Sequence, residues 1–574
     1  MFPQHPPNFH ASLWQHRPAR QSQWHALDTH FGNGQAFLNT LQAWQEDLQA
    51  PRQLFYTAFT DQAPAELAPQ LTPNCLGLLP GIHRISFGNS QVKLNLCVGP
   101  IASNFKEIDI AADSILIANF STTDPRSIAR LSKLGTQIEW AEITEEQMAQ
   151  LKAAGFNISE QAPRATYQPN WKIKTSLRRS DSEAKDCKNK AIVIGAGLAG
   201  SAVAYSLAQR GWQVEVLDQH EKTGGGASGL PAGIFATHVS PDNNVLSRIT
   251  RDGVRATVER ADALLKLGQD WRLSQLVEHR YAGKRALPPS DLWPAAGREW
   301  SVEAQVDHKK MVGLETTTQA LWHPLAGWIQ TQALVKAQLN HPLIACRFGI
   351  KVAQLIRQSS GWQLIDDNLQ EVAQANLVVL ANAHACQELL NTVDAGHRPQ
   401  IPITPLRGQV TFGAMSMLRQ GLRDKLPTMP VNGHGSYIGN LPTLGELTET
   451  PYWIVGSSFQ RHDYDTSVRE EDQLSNIKQW AELMPAWHDE ILENFDTANA
   501  KGWAGVRAAL HDRLPAVGAF AHPNFAGIQV CTGLGARGLS WSVLCGELLA
   551  AHLNHEPLPM AASLAKLMAA SRFG

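Results

Sequence analysis

Three glycines and one aspartate carry the clearest chemistry in this chain. In AIVIGAGLAGSAVAYSLAQRGWQVEVLD, Gly195, Gly197 and Gly200 are spaced G-x-G-x-x-G, and Asp218 follows 23 residues after the first of them. Glycine at the first position allows a tight turn. At the second it lets the backbone approach a pyrophosphate, and at the third it lets a helix lie close on a strand. An acid at this distance reaches a ribose hydroxyl. The elements that must position these groups are legible around them. The run from Ala191 reads as a buried parallel strand, a helix follows from about Leu198 to Gln209 and stops at Gly211, and QVEVLD forms the second strand. The helix amides would face the phosphates. A glycine turn with no nucleotide is the plainer reading, and the second strand ending in an acid argues against it.

Three further segments favour FAD over a nicotinamide cofactor. GGGASGLPAGIF, with Ser228, comes directly after the second strand, where amine-oxidising flavoproteins place a serine and glycines near the flavin and its phosphates. ANLVVLANA is an apolar strand that ends in small residues. VCTGLGARGLSWSVLCGELLAAHL reads as a strand, a turn containing Gly535 and Gly538, and a helix. The amides of that helix could meet the edge of a flavin on which reduction places negative charge.

The 574 residues are enough for two or more domains, and 18% charged with 43% hydrophobic residues reads as globular. A net charge of −2 does not announce a nucleic-acid binder, although a local basic face would suffice. Seven scattered cysteines with no C-x-x-C pair argue against a disulfide framework or a structural metal, so no metal site is expected. No apolar run reaches the roughly 18 residues of a membrane span, and the N-terminus has no secretory pattern. The expected setting is the cytoplasm, without membrane partners. Residues 1–165 alternate helical and strand-like patterns. Residues 166–188 are rich in Lys and Arg without apolar periodicity, which is a tether or a basic strip for nucleic acid. Residues 189–574 form the long remainder.

Residues 189–574 resemble the D-amino-acid-oxidase-like FAD enzymes, with glycine and sarcosine oxidases as relatives. More closely, they resemble the C-terminal half of the MnmC family, bifunctional enzymes of wobble-uridine modification in tRNA. The resemblance rests on GASG, HPLAGWIQTQAL, PLRGQVTF, GWAGVRAALHDRLPAVG, GLGARGLSWSVLCGELLA and the closing EPLPMAASLAKLMAASRF, spread in the family's order. It implies oxidation of a carboxymethylaminomethyl group on a tRNA uridine to the aminomethyl group, with FAD as cofactor and tRNA as partner. It also implies a carboxylate anchor at Arg507, in AGVRAAL, where a guanidinium can hold a carboxylate with two parallel bonds. Residue 508 is Ala where small-molecule oxidases often carry Pro. Tyr437, in GHGSYIGN, is a second pocket candidate and reads equally as sheet packing. Arg537 is a weaker one. A monomer is expected.

Residues 1–165 resemble the family's S-adenosylmethionine-dependent methyltransferase through HFGNGQAFLNTLQAW, LLPGIHRISFGNSQVKLNLCVGP and ARLSKLGTQIEWAEITEEQMAQLKAAGFNI. The departures fall on the chemistry. Thr60 stands where the family's ribose-binding acid is expected, with Asp61 one step on. The acid after the central strands is missing in VGPI. In IANFSTTDP, Ala118 and Asn119 replace an Asp-Gly pair, and an N-P-x-x-W stretch is deleted. Each lost hydrogen bond costs about 0.5–3 kcal/mol. Gly32 and Gly34 could still admit a nucleotide, but a retained, degenerate scaffold is the expectation. The fold class is therefore α/β: a Rossmann-like methyltransferase-type domain, then an FAD-binding Rossmann domain with an antiparallel-sheet substrate domain. The rival functions are a small-molecule glycine or sarcosine oxidase and a non-catalytic tRNA-binding scaffold.

Overall fold

The structure is a computed structural model that describes residues 9–18, 21–88, 90–118, 120, 123–171, 189–280, 286–393, 396, 398–442, 451–495 and 500–574. The basic stretch from residue 172 to 188 and Asn119 lie outside the described residues. The chain divides into two compact units. One is Met1–Cys187 with Ala551–Lys566, and the other is Lys188–Ala550 with Leu567–Gly574.

The first unit is built on an eight-stranded sheet. Its strands run in the order Gly81–Phe87, Val92–Val98, Gln53–Thr60, Gln23–Asp28, Ala112–Ile117, Ser132–Trp140, Arg164–Tyr167, Phe156–Ile158. Val92–Val98 and Ala112–Ile117 are buried along their whole length, as expected of interior strands covered on both faces. Gln23–Asp28 runs parallel to both Gln53–Thr60 and Ala112–Ile117. The chain order reverses on either side of it, so the turn after Asp28 sits at a topological switch point. The segment 551–566, which the linear division gives to the flavin module, belongs here. Arg84 donates to the Pro557 carbonyl at 2.5 Å, and the Ser563 amide donates to Glu107 at 2.9 Å.

The second unit has a six-stranded sheet in the order Ile344–Arg347, Gln213–Leu217, Lys190–Ile194, Val378–Leu380, Ile528–Thr532, Ala516–Ala519. The first five are parallel and the last is antiparallel. Parallel pairing brings all five C-terminal ends to one edge. The turns after Ile194, Leu217, Leu380 and Thr532 therefore leave the sheet on the same side. Those turns carry the glycine fingerprint, Asp218, the turn Ala383–Ala385 and the turn Gly535–Arg537.

A separate nine-stranded sheet contains the long strand Ile403–Ala414, paired antiparallel with Lys501–Leu510 from Ile403 opposite Leu510 to Phe412 opposite Lys501. Residues directly opposite one another share a face, and neighbours along a strand alternate. One row runs Tyr437, Val455, Thr411, Gly502, and Arg507 stands five residues on from Gly502. Tyr437 and Arg507 therefore point to opposite faces.

The helices that flank the glycine strand are tied by buried charge. Glu547 accepts from Arg210 at 3.0 Å, Arg260 at 2.9 Å and Ser206 at 2.8 Å, and all four side chains are buried. Removing one partner of such a set strands the others without water. Glu547→Ala should lower stability by about 3–5 kcal/mol, read as a fall in Tm, whereas substitution of the exposed Lys222 should leave Tm unchanged.

Candidate active site

The glycine turn is dictated by what a side chain would strike. Gly195 has φ +110°, and a Cβ there would lie 2.6 Å from the Ala381 carbonyl oxygen. At Gly200 a Cβ would lie 1.8 Å from the Gly195 carbonyl, and at Gly197 it would lie 2.8 Å from Ser228 Oγ. The helix Leu198–Ala208 starts immediately after and has no acid in its first turn to offset the positive end of its dipole. Ser228 Oγ accepts the Leu198 amide at 2.9 Å, which brings GGGASG onto that helix end. Asp218 ties the second strand to the turn. It accepts the Ala196 amide at 2.6 Å through one oxygen and the His220 amide at 2.9 Å through the other. This set fits the phosphates and ribose of FAD in its chemistry: a helix end for anions, a turn without side chains, and a carboxylate at the neighbouring strand end.

The other segments converge on the strand Lys501–Leu510. A Cβ on Gly505 would lie 3.1 Å from Ala227 Cα, and one on Gly229 would lie 3.2 Å from Trp503 Nε1. Ala509 bridges to Leu534, beside the turn that holds Gly535, whose φ is +55°. Thr532 donates to the Ala383 carbonyl at 2.9 Å. Gly538 opens the 17-residue helix Gly538–Asn554. Three stretches far apart in sequence, at Ala227–Gly229, Ala383–Ala385 and Gly535–Arg537, thus meet one strand, and Arg507 stands on it.

The Arg507 guanidinium has unusual company. Nη2 donates to Ser457 Oγ at 2.8 Å, the Phe459 ring lies 4.8 Å from its central carbon, and Nη1 is buried with no hydrogen-bond partner. Its space is made by Gly408, where a Cβ would fall 2.3 Å from Nη1. Burial lowers its pKa to about 10, so it remains a cation at neutral pH. A desolvated cation with an unmatched N–H and, among the described residues, no carboxylate paired to it is suited to an anionic ligand. Gly408, Ser457 and Phe459 were not singled out in the sequence. A glycine inside the β-rich PLRGQVTF was the available sign of a close approach.

Tyr437 is not part of this arrangement. It is fully buried, stacked on Trp480 at 5.4 Å on the other face of the sheet, and burial pushes its hydroxyl pKa up. The sheet's alternation makes it core, which corrects its reading as a pocket residue. Arg537 lies over Trp541 at 5.5 Å. His323 is buried, between Ser301 at 2.8 Å and Glu278 at 3.1 Å. Among the described residues, no group of three or more His, Cys, Asp or Glu could hold a metal, and no helix is long and apolar enough to cross a membrane.

Comparison with known proteins agrees with this geometry. The family of FAD dependent oxidoreductases matches residues 190–552. The tRNA 5-methylaminomethyl-2-thiouridine biosynthesis bifunctional protein MnmC of Polaromonas naphthalenivorans (strain CJ2) is 38% identical, over 94% of this chain and 89% of the relative. The protein of the same name from Polaromonas sp. (strain JS666 / ATCC BAA-500) is 37% identical, over 96% and 91%. The chain belongs to the MnmC family. It is an FAD-dependent oxidoreductase. Among solved structures, L-proline dehydrogenase from P. horikoshii shares the fold, with TM-score 0.51 and 16% identity over 67% of this chain and 98% of that one.

The relatives' name is bifunctional, and the first unit holds the segments that resemble a methyltransferase. Gly32 and Gly34 have φ +57° and +87°, as a nucleotide turn requires. Gly34 also has no room for a side chain: a Cβ there would fall 2.3 Å from Leu71 Cδ1 and 2.9 Å from the Phe31 ring. Asp28 at the strand end is bonded to the Tyr56 hydroxyl at 2.8 Å and the His30 amide at 2.9 Å, and burial raises its pKa to about 7. Thr60 donates to the Gln62 carbonyl rather than standing as an acid, and Asp61 is exposed. The left-handed glycine turn of a nucleotide site is kept, while the acid expected at residue 60 is absent.

Two outcomes test the second unit. Gly200→Ala should yield folded protein without the yellow flavin absorbance, because the new methyl meets backbone and forces the turn apart. Arg507→Ala should keep that absorbance, since the substitution leaves the glycine turn untouched.

Proposed function

We propose that this enzyme removes the carboxymethyl group from 5-carboxymethylaminomethyl-(2-thio)uridine at the wobble position of tRNA, leaving 5-aminomethyl-(2-thio)uridine. The single observation that carries the reading is the buried Arg507 cation with an unmatched Nη1, on the strand where the flavin-binding segments converge. The substrate is an N-substituted glycine, R–CH2–NH–CH2–COO⁻. FAD, when bound, supplies the hydride acceptor for the carbon next to that carboxylate. The amine proton leaves to solvent, water adds to the resulting C=N bond, and the C–N bond breaks to release glyoxylate and the aminomethyl uridine.

The chain's own residues do the positioning. Gly195, Gly197, Gly200, Asp218 and Ser228 hold the dinucleotide. Gly535 and the amides from Gly538 onward meet the flavin end. Arg507 fixes the substrate carboxylate through two donors, which aligns the neighbouring carbon. Ser457 holds the guanidinium in plane. Val410, Phe412 and Trp503 lie on the Arg507 face of the sheet and keep water from that side. The first unit serves as a scaffold for this reaction and transfers no methyl group. A substrate of this kind places the enzyme in the cytoplasm.

The test uses purified holoenzyme, tRNA carrying the carboxymethylaminomethyl group, and S-adenosylmethionine, with mass analysis of the nucleosides. The expected product is the aminomethyl uridine. Methylaminomethyl uridine would overturn the scaffold reading, and unchanged tRNA would overturn the oxidation. Equal turnover of free sarcosine would favour a small-molecule oxidase. Arg507→Ala should reduce kcat/KM on tRNA roughly 10- to 150-fold, the loss of about 1.5–3 kcal/mol expected for a hydrogen bond to a charged group.

A further inference from the structure

Two large aromatic side chains are exposed in the segment that follows Ser457, and one of them lies on the substrate arginine. Phe459 is 59% exposed although its ring covers the Arg507 guanidinium, and Tyr464 is 60% exposed, edge-on to His384 at 5.3 Å. His384 belongs to the turn Ala383–Ala385, which leaves the flavin-binding sheet. Single exposed aromatics are common, but here two fall within six residues of one another, one on a buried cation and one against a turn of the flavin-binding sheet. Between them stands Arg461, exposed, without an ion pair among the described residues. It pairs with Leu406, which also pairs with Arg507, so both arginines project from the same face.

The segment is held rigid. Arg407, fully buried, donates to the carbonyls of Asp465 at 2.6 Å and Ser467 at 2.7 Å. Arg469 closes the loop with ion pairs to Asp463 at 2.7 Å and Asp465 at 2.8 Å. A loop that only covered the site would not need to hold aromatic faces out to solvent. Exposed rings on a fixed backbone with a free cation are how proteins take up single-stranded nucleic acid: bases stack on the rings, and the cation meets a phosphate.

We propose that Phe459 and Tyr464 are the stacking platform for unpaired bases of the anticodon loop, and that Arg461 contacts its phosphate. The proposal rests on the tRNA reading above. It places the substrate base next to Phe459, one ring away from the arginine that holds the carboxymethyl carboxylate.

The test measures binding of an anticodon stem-loop to the full-length holoenzyme by fluorescence anisotropy, alongside oxidation of the modified tRNA. Phe459→Ala and Tyr464→Ala should each weaken stem-loop binding roughly 5- to 100-fold, the range expected for loss of one stacked base. Phe459→Trp should bind as wild type does. Arg461→Gln should reduce the slope of log affinity against log salt by about one. Flavin absorbance confirms that each variant is folded. If both alanine variants bind the stem-loop with wild-type affinity while the wild type oxidises modified tRNA, the platform is overturned and the function stands. If the wild type neither binds the stem-loop nor oxidises modified tRNA but oxidises a free N-substituted glycine, the tRNA reading falls and takes the platform with it.

Discussion

A guanidinium withdrawn from water with no acid beside it is costly to maintain, and much of the second unit is arranged around Arg507. Gly408, two residues along the paired strand from Arg507's partner Leu406, leaves room for it, since a Cβ there would lie 2.3 Å from Nη1. A hydroxyl and a ring, Ser457 and Phe459, orient the cation without neutralising it. A carboxylate in that position would fill the site permanently. Leaving the charge unmatched keeps the site open to a ligand that brings its own.

The same economy of side chains governs the approach of the flavin-binding segments. Gly195, Gly229 and Gly505 each stand where a Cβ would strike another part of the chain. The parallel sheet brings its turns to one edge, and the missing side chains let those turns close on the strand Lys501–Leu510. The Arg210–Glu547–Arg260 set holds the flanking helices without projecting into that edge.

What was legible in the sequence follows from this. Residues fixed by local geometry are readable, because only glycine satisfies a turn such as Gly195 and only a small set of types ends the second strand at Asp218. The α/β class, the FAD preference and the family followed from those stretches. Tyr437 was not readable: a strand pattern reveals that neighbours alternate, but register decides which face is which, and a shift of one residue reverses every side chain. In the first unit, the loss of acids at Thr60 and Ala118 was visible. The close approach of Leu71 to Gly34 was not, because it joins residues 37 apart that only the fold brings together. The membership of 551–566 in the first unit was equally hidden, since nothing in a helical stretch names the sheet it will pack on.

That last feature bears on how the molecule can be made. A ribosome delivers residues 1–187 long before it reaches Pro557, so the first unit leaves the exit tunnel with Arg84 lacking the carbonyl it will finally bond. Its completion waits on translation of the entire flavoprotein module. For the same reason, a gene cut between codons 188 and 189 would not yield two self-sufficient products: the front fragment would lack a piece encoded more than three hundred codons downstream. The two units are interleaved in the message.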